Sequence, residues 1–199
     1  MNKYPINEIF YSLQGEGHNA GRPAVFIRFS GCNIKCPFCD TDHSNRTMMS
    51  ADEIISAVSQ YNCRFIVLTG GEPSLWIDQQ LVDVLHTDYE IAIETNGTNT
   101  LPANINWVTL SPKQHIIAQA KVALRSCDEL KIIWEESIDI DHLLKTTYQG
   151  LKYRYLYIQP CDTGDNNTNR QLQKEATDYC LTHPDARLSV QLHKILNIK

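Results

Sequence analysis

Short apolar runs alternate with helical patterns along most of this chain, and glycine, proline or asparagine stops nearly every run. Ala24 to Phe29 reads as a β-rich run ending at Gly31, and Phe65 to Thr69 as a buried strand ending at Gly70-Gly71. Tyr89 to Thr95 closes on Asn96-Gly97, and Trp107 to Leu110 precedes Ser111-Pro112. Leu130 to Trp134, Tyr153 to Gln159 and Leu188 to Leu192 complete the expected strands. Ser50 and Glu53 have capping-box spacing, and Ile54, Ile55 and Val58 follow at helical intervals. Further helices are expected over Ile77 to His86, Asp139 to Tyr148 and Arg170 to Leu181. Strands separated by helices pair in parallel, because parallel neighbours need crossovers. A full eight-unit barrel takes about 250 residues, so a shorter chain predicts an incomplete, open (β/α) barrel of about six parallel strands. That α/β fold is expected to form a single domain over residues 1–199. Its polar, glycine-rich and cysteine-rich segments follow the C-terminal ends of the strands, where such sheets place an active site.

Composition narrows the function. With 42% hydrophobic and 21% charged residues the chain is an ordinary globular one, not a disordered one. A formal net charge of -5 argues against a nucleic-acid partner. No apolar run approaches a bilayer span, and Met1-Asn2-Lys3-Tyr4-Pro5 lacks an apolar signal core. The expectation is a soluble cytoplasmic protein with no membrane partner.

Seven cysteines, an odd number, fit poorly with a complete set of internal disulfides. Cys63, Cys127, Cys161 and Cys180 are scattered, but Cys32, Cys36 and Cys39 share one loop with CxxxCxxC spacing. A structural zinc site or a simple ferredoxin centre wants four ligands. Three thiolates on a 4Fe–4S cluster leave one iron open to a small molecule. A zinc site completed by His43 or a distant cysteine, and a purely structural iron–sulfur site, are the alternatives. Unligated core thiols are a poorer reading, because Cys-Pro-Phe-Cys on a loop packs badly.

Other segments can be read as they stand. Thr69-Gly70-Gly71-Glu72-Pro73 is a plain turn or a loop whose glycines let backbone approach a ligand. Gln14-Gly15-Glu16-Gly17 is a solvated turn or a loop that reads a planar polar ring through an amide and a carboxylate. Arg28, within an apolar strand, needs either a buried acidic partner or an anionic ligand.

With CxxxCxxC after the first barrel strand, the chain resembles the radical S-adenosylmethionine (SAM) enzymes. More specifically it resembles the 7-carboxy-7-deazaguanine synthase family, nearly end to end. The resemblance rests on Tyr4-Pro5-Ile6-Asn7-Glu8, Leu13-Gln14-Gly15-Glu16-Gly17, Arg28, the cysteine loop with Asp40-Thr41, and Thr69-Gly70-Gly71-Glu72-Pro73. Glu94-Thr95-Asn96-Gly97-Thr98, Ser111-Pro112-Lys113, Gln159-Pro160 and the tail His193-Lys194-Ile195-Leu196-Asn197-Ile198 extend it.

The resemblance implies radical ring contraction of 6-carboxy-5,6,7,8-tetrahydropterin to 7-carboxy-7-deazaguanine, with loss of ammonia, in queuosine-precursor biosynthesis. It implies a 4Fe–4S cluster on Cys32, Cys36 and Cys39, SAM as cofactor, and Mg²⁺ at Thr41. It places SAM beside Phe38, Asp40, Gly71, Ser111, Lys113, Gln159, Pro160, Cys161 and Asp162. It places the pterin beside Leu13, Gln14, Gly15, Glu16, Arg28 and Thr69. A flavodoxin- or ferredoxin-type electron donor and a homodimer are implied as partners. No general acid or base is assigned. Cys161 departs from the family pattern, Glu94 and Asn96 are expected to line the site without a defined role, and His193 is a candidate liner. His86 and His142 fall in helical stretches and are expected at the surface. A radical SAM activase of a glycyl-radical protein and a zinc-stabilised interaction module remain as competing readings.

Overall fold

In the computed structural model, residues 2–42 and 44–199 are described. His43, the candidate fourth zinc ligand, lies outside them. Among the described residues nine strands form one sheet: β1 Lys3–Leu13, β2 Pro23–Phe29, β3 Thr47–Ser50, β4 Phe65–Gly70, β5 Glu90–Thr95, β6 Trp107–Leu110, β7 Ser126–Trp134, β8 Lys152–Pro160 and β9 Ala186–Leu188. Their order is β3-β1-β2-β4-β5-β6-β7-β8-β9. From β2 through β9 every pairing is parallel, whereas β1 pairs antiparallel with both β2 and β3. The parallel part is the expected open barrel, and its edges stay apart.

Five α-helices of the described residues accompany the strands: α1 Ala51–Val58, α2 Gln79–His86, α3 Ile140–Lys145, α4 Asn166–Thr182 and α5 Leu192–Leu196. The Ser50–Glu53 capping box opens α1, with both reciprocal bonds formed. α1 and α2 bury Ile54, Val58, Leu81, Val82 and Leu85 against the outward side chains of β2, β4 and β5. α3 and α4 contribute Ile140 and Ala176 to a second core over β7 and β8. No helix covers the connections from β5 to β6 or β6 to β7; Leu101, Ile105, Val122 and Leu124 pack there instead.

Strict alternation sorts the inner face. Ala24 and Phe26 on β2, Phe65 and Val67 on β4, and Ala92 on β5 form an apolar floor with Phe10 and Trp107. Higher along the same faces the side chains become polar: Arg28, Thr69 and Glu94 all face the cavity. β1 changes face part-way. Its pairing with β2 slips between Ile6 and Glu8, a bulge at Asn7. Tyr4 and Ile6 therefore join the outer core, while Phe10 joins the floor and Glu8 lines the cavity.

Three expectations need correction. Leu188 to Leu192 is not a strand: β9 ends at Leu188 and Leu192 starts α5. The helix expected over Asp139 to Tyr148 is only Ile140–Lys145, and the strand expected from Leu130 begins at Ser126. β1 and β3 lay outside the alternation pattern because antiparallel strands need no crossover helix.

Candidate active site

A cavity of about 680 Å³ opens at the C-terminal ends of the parallel strands, within the range of small-molecule sites. Strands one in from each edge of the sheet reach it, from Glu8 and Phe10 on β1 to Gln159 and Pro160 on β8. In a flat sheet those strands would lie roughly 29 Å apart at about 4.8 Å per spacing, so the sheet must curl around the cavity. Every residue assigned above to SAM, pterin, cluster or Mg²⁺ lines this one space, as do Glu94, Asn96 and His193.

The cysteine loop runs without regular structure from Gly31. Buried Ile34 pins it, and Phe38 packs against Ile133, Cys161 and Leu172. Cys32, Cys36 and Cys39 carry free thiols. Burial pushes the Cys32 and Cys36 thiols up, and the neighbouring cysteines add to it, while Lys113 pulls Cys36 the other way. Thiols that resist ionisation in this way need a cationic centre to hold them as thiolates, which a cluster on the loop would supply. Among the described residues no His, Cys, Asp and Glu set is gathered to hold a single metal ion.

The two glycines after β4 answer to backbone packing. A Cβ at Gly70 would stand 2.3 Å from the Phe29 carbonyl oxygen, and one at Gly71 2.0 Å from that of Gly31. Gly71 N–H donates to Phe29 O at 3.1 Å and Glu72 N–H to Gly31 O at 2.9 Å. The close approach that excludes side chains is thus to the end of β2 at Gly70 and to the start of the cysteine loop at Gly71. Buried Glu72 braces the arrangement, accepting from Thr95 Oγ1 at 2.6 Å, Asn96 N–H at 2.7 Å and Ser74 N–H at 3.0 Å.

A charged network lines another part of the cavity. Lys131 Nζ donates to Glu16 at 2.5 Å and to Glu94 at 3.0 Å. Gln14 Nε2 donates to Glu94 at 3.1 Å, and Gln191 Nε2 to Glu16 at 2.9 Å. A side chain at Gly15 would displace the His193 ring, because a Cβ would fall 2.1 Å from its Nδ1. Arg28 sits beside Thr69 in the β2–β4 register, and its Nε donates to Glu8 at 2.9 Å. The acidic partner weighed for Arg28 is therefore present, and the side chain still faces the cavity.

Near the remaining wall, Lys113 Nζ donates to both the carbonyl and hydroxyl oxygens of Ser111 at 2.7 Å. Burial brings Lys113 down to about 8. Gln159 Oε1 accepts from Ser189 Oγ at 2.8 Å, so that amide is partly committed within the protein. Cys161 is buried against apolar neighbours. Thr41 Oγ1 lies 3.5 Å from Asp40 Oδ1. His86 and His142 are exposed.

Lys131 and Gln191 escaped the sequence reading, and Glu8 and Lys194 entered it only within matched segments, with no role assigned. A usable signal existed for Lys131. It interrupts the apolar Leu130-Ile132-Ile133 run as Arg28 interrupts its own strand, and the same requirement for a partner applies.

The profile of the Radical SAM superfamily matches residues 26–113. The chain is 49% identical over 196 residues to the 7-carboxy-7-deazaguanine synthase of Bacteroides thetaiotaomicron, covering 98% of each. It is 40% identical over 224 residues to that of Nitratidesulfovibrio vulgaris, covering 98% of this chain and 99% of the relative. The crystal structure of QueE from Escherichia coli superposes with a TM-score of 0.79 at 30% identity, covering 96% of this chain and 95% of the other.

Proposed function

Because the chain belongs to the 7-carboxy-7-deazaguanine synthase family of radical SAM enzymes, we propose that its substrate is 6-carboxy-5,6,7,8-tetrahydropterin. The product is 7-carboxy-7-deazaguanine, formed by ring contraction with loss of ammonia. The enzyme uses a 4Fe–4S cluster and SAM. When bound, they supply reductive cleavage of SAM and abstraction of a hydrogen atom from the substrate.

This chain's residues bind and orient. Cys32, Cys36 and Cys39 would hold the cluster. Phe38, Asp40, Gly71, Ser111, Lys113 and the Gln159 to Asp162 segment would surround SAM. Gln14 and Glu16 would accept from the ring's N–H edge, and Arg28 would hold the carboxylate with the guanidinium N–H groups not used on Glu8. Thr41 would contribute one oxygen to a hydrated Mg²⁺ shared with the substrate carboxylate. The tail would help exclude water: Leu192 N–H donates to Gly15 O at 2.8 Å, and His193 packs on Gly15.

The observation that carries this reading is that the three loop thiols, Gln14, Glu16 and Arg28 line a single cavity although they come from separate segments. Residues 1–199 would act as one cytoplasmic domain, reduced by a flavodoxin- or ferredoxin-type donor and paired as a homodimer. Exposed Ile195 and Leu196 are apolar surface that such pairing could cover. No helix of the described residues is long and apolar enough to cross a membrane.

Anaerobic purification tests the reading first. A brown protein with iron and sulfide, whose SAM cleavage responds to the tetrahydropterin, supports it. A colourless zinc protein contradicts it, as does SAM cleavage that ignores the pterin and installs a radical on a protein.

A further inference from the structure

β7 carries two charged side chains into the barrel. Leu130 and Ile132 point to the outer core, so Glu129 and Lys131 between and beside them face inward. Lys131 is 4% exposed, a position where an ammonium is costly without partners. It has two, on different segments: Glu16 in the loop after β1 and Glu94 on β5.

We infer that Lys131 is the positioning residue of the ligand wall: bonded to both Glu16 and Glu94, it holds their carboxylates as neighbouring acceptors and so selects a ring edge that presents N–H donors. This deepens the proposed function and rests on it for the identity of the ring.

The hydrogen-bond inventory supports the inference. Glu16 accepts from Lys131 and Gln191, and Glu94 from Lys131 and Gln14. A carboxylate has about four acceptor sites, so each keeps roughly half its capacity for a ligand. The Gln14 carbonyl oxygen accepts from Glu16 N–H at 3.3 Å and adds no donor. The wall thus offers acceptors while much of its donor capacity is spent internally. An aminopyrimidinone edge, with its amine and ring N–H, matches it; an edge made only of carbonyls does not.

Charge points the same way at Glu16, and at Glu94 it shows how much the acceptor depends on the ammonium. Glu16, Glu94 and Glu129 influence Lys131, with Lys113 and His193 also close enough to act on the group. Burial opposes ionising Glu16, yet the Lys131 charge and the bonds from Lys131 and Gln191 hold it at about 2. Burial pushes Glu94 up to about 7, with Glu129 and Glu16 adding and Lys131 resisting. Burial would lower Lys131, but the three carboxylates more than reverse it. Without the ammonium both acceptors shift upward, and a protonated carboxyl turns a donor toward the ligand's N–H edge.

The test compares wild type with Lys131→Met as anaerobically prepared holoenzymes, titrating each with the tetrahydropterin by calorimetry. The variant should bind about tenfold or more weakly near neutral pH, and the deficit should narrow near pH 9 as the carboxyls ionise. Carbon-13 NMR of labelled glutamates should show the Glu16 and Glu94 titrations displaced upward. If Lys131→Met melts too low, Lys131→Met/Glu94→Gln removes one unpaired carboxylate, and the Glu16 titration carries the comparison. Unchanged affinity, a deficit equal at both pH values, or undisplaced carboxyl titrations would overturn the inference. A wild type that fails to bind the pterin overturns the proposed substrate instead, and the carboxyl titrations still decide the part played by Lys131.

Discussion

The Lys194 ammonium lies 2.7 Å from the carboxylate of Asp40, the residue directly after the third loop cysteine. The same ammonium lies 2.6 Å from Asp162 in the loop after β8. One lysine of α5 therefore ties the cysteine loop to the far side of the open barrel. Lys194→Met should loosen that loop in the apoprotein. Both pairs are about a third or more exposed, so each contributes about 1 kcal/mol or less. Alkylation of Cys39 by iodoacetamide should accelerate by a few-fold, with little change in melting temperature. Unaltered alkylation would show that the tail does not restrain the loop.

Cys36→Ala should abolish stable cluster binding, because two thiolates cannot hold it with one iron left open. Iron and sulfide content after anaerobic reconstitution, with the visible absorption band, reads this directly. Near wild-type iron with intact turnover would remove Cys36 from the ligand set.

Gly71→Ala should displace the cysteine loop, since the added Cβ meets the Gly31 carbonyl at 2.0 Å and backbone must move. Overpacking of this kind costs about 1–3 kcal/mol, so the apoprotein should melt several degrees lower. An unchanged melting temperature and cluster content would mean that the loop yields freely.

Arg28→Lys keeps the charge but loses the planar fork. A lysine can still pair with Glu8, so the melting temperature should change little. Tetrahydropterin affinity should fall about tenfold, the weight of one charge-assisted bond. A lower melting temperature with unchanged affinity would assign Arg28 to the Glu8 pair alone.

Glu94 gives stability a pH dependence. Burial raises its folded-state value to about 7 from an ordinary 4.5, so the folded state binds a proton there more tightly than the unfolded chain. The associated stability is fully present below about 4.5 and is lost as pH rises through about 7. Glu94→Gln should flatten the melting temperature against pH across that window. A profile identical to wild type would contradict this account of Glu94.

Much of the barrel was legible because alternation and crossover are local signals. Phe65 to Thr69 and Trp107 to Leu110 needed only their own residues and the turn chemistry that follows. β1 was not legible: its bulge at Asn7 puts Tyr4 and Glu8 on opposite faces, and only the pairing with β2 shows it. The site was readable where residue types announce chemistry, as in the three cysteines and the Gln14-Gly15-Glu16 loop. Lys131 and Lys194 were not, since each acquires its meaning from carboxylates on distant segments. Gly71 shows the converse. Its need for close approach was readable, but its neighbour, the Gly31 carbonyl, was not.

The most direct measurement is product analysis of a single anaerobic incubation. The reconstituted protein is mixed with SAM, a low-potential reductant, Mg²⁺ and 6-carboxy-5,6,7,8-tetrahydropterin, and followed by mass spectrometry with an ammonia assay. The account predicts 7-carboxy-7-deazaguanine and ammonia in equal amounts. SAM cleaved to 5′-deoxyadenosine while the pterin stays intact would contradict it.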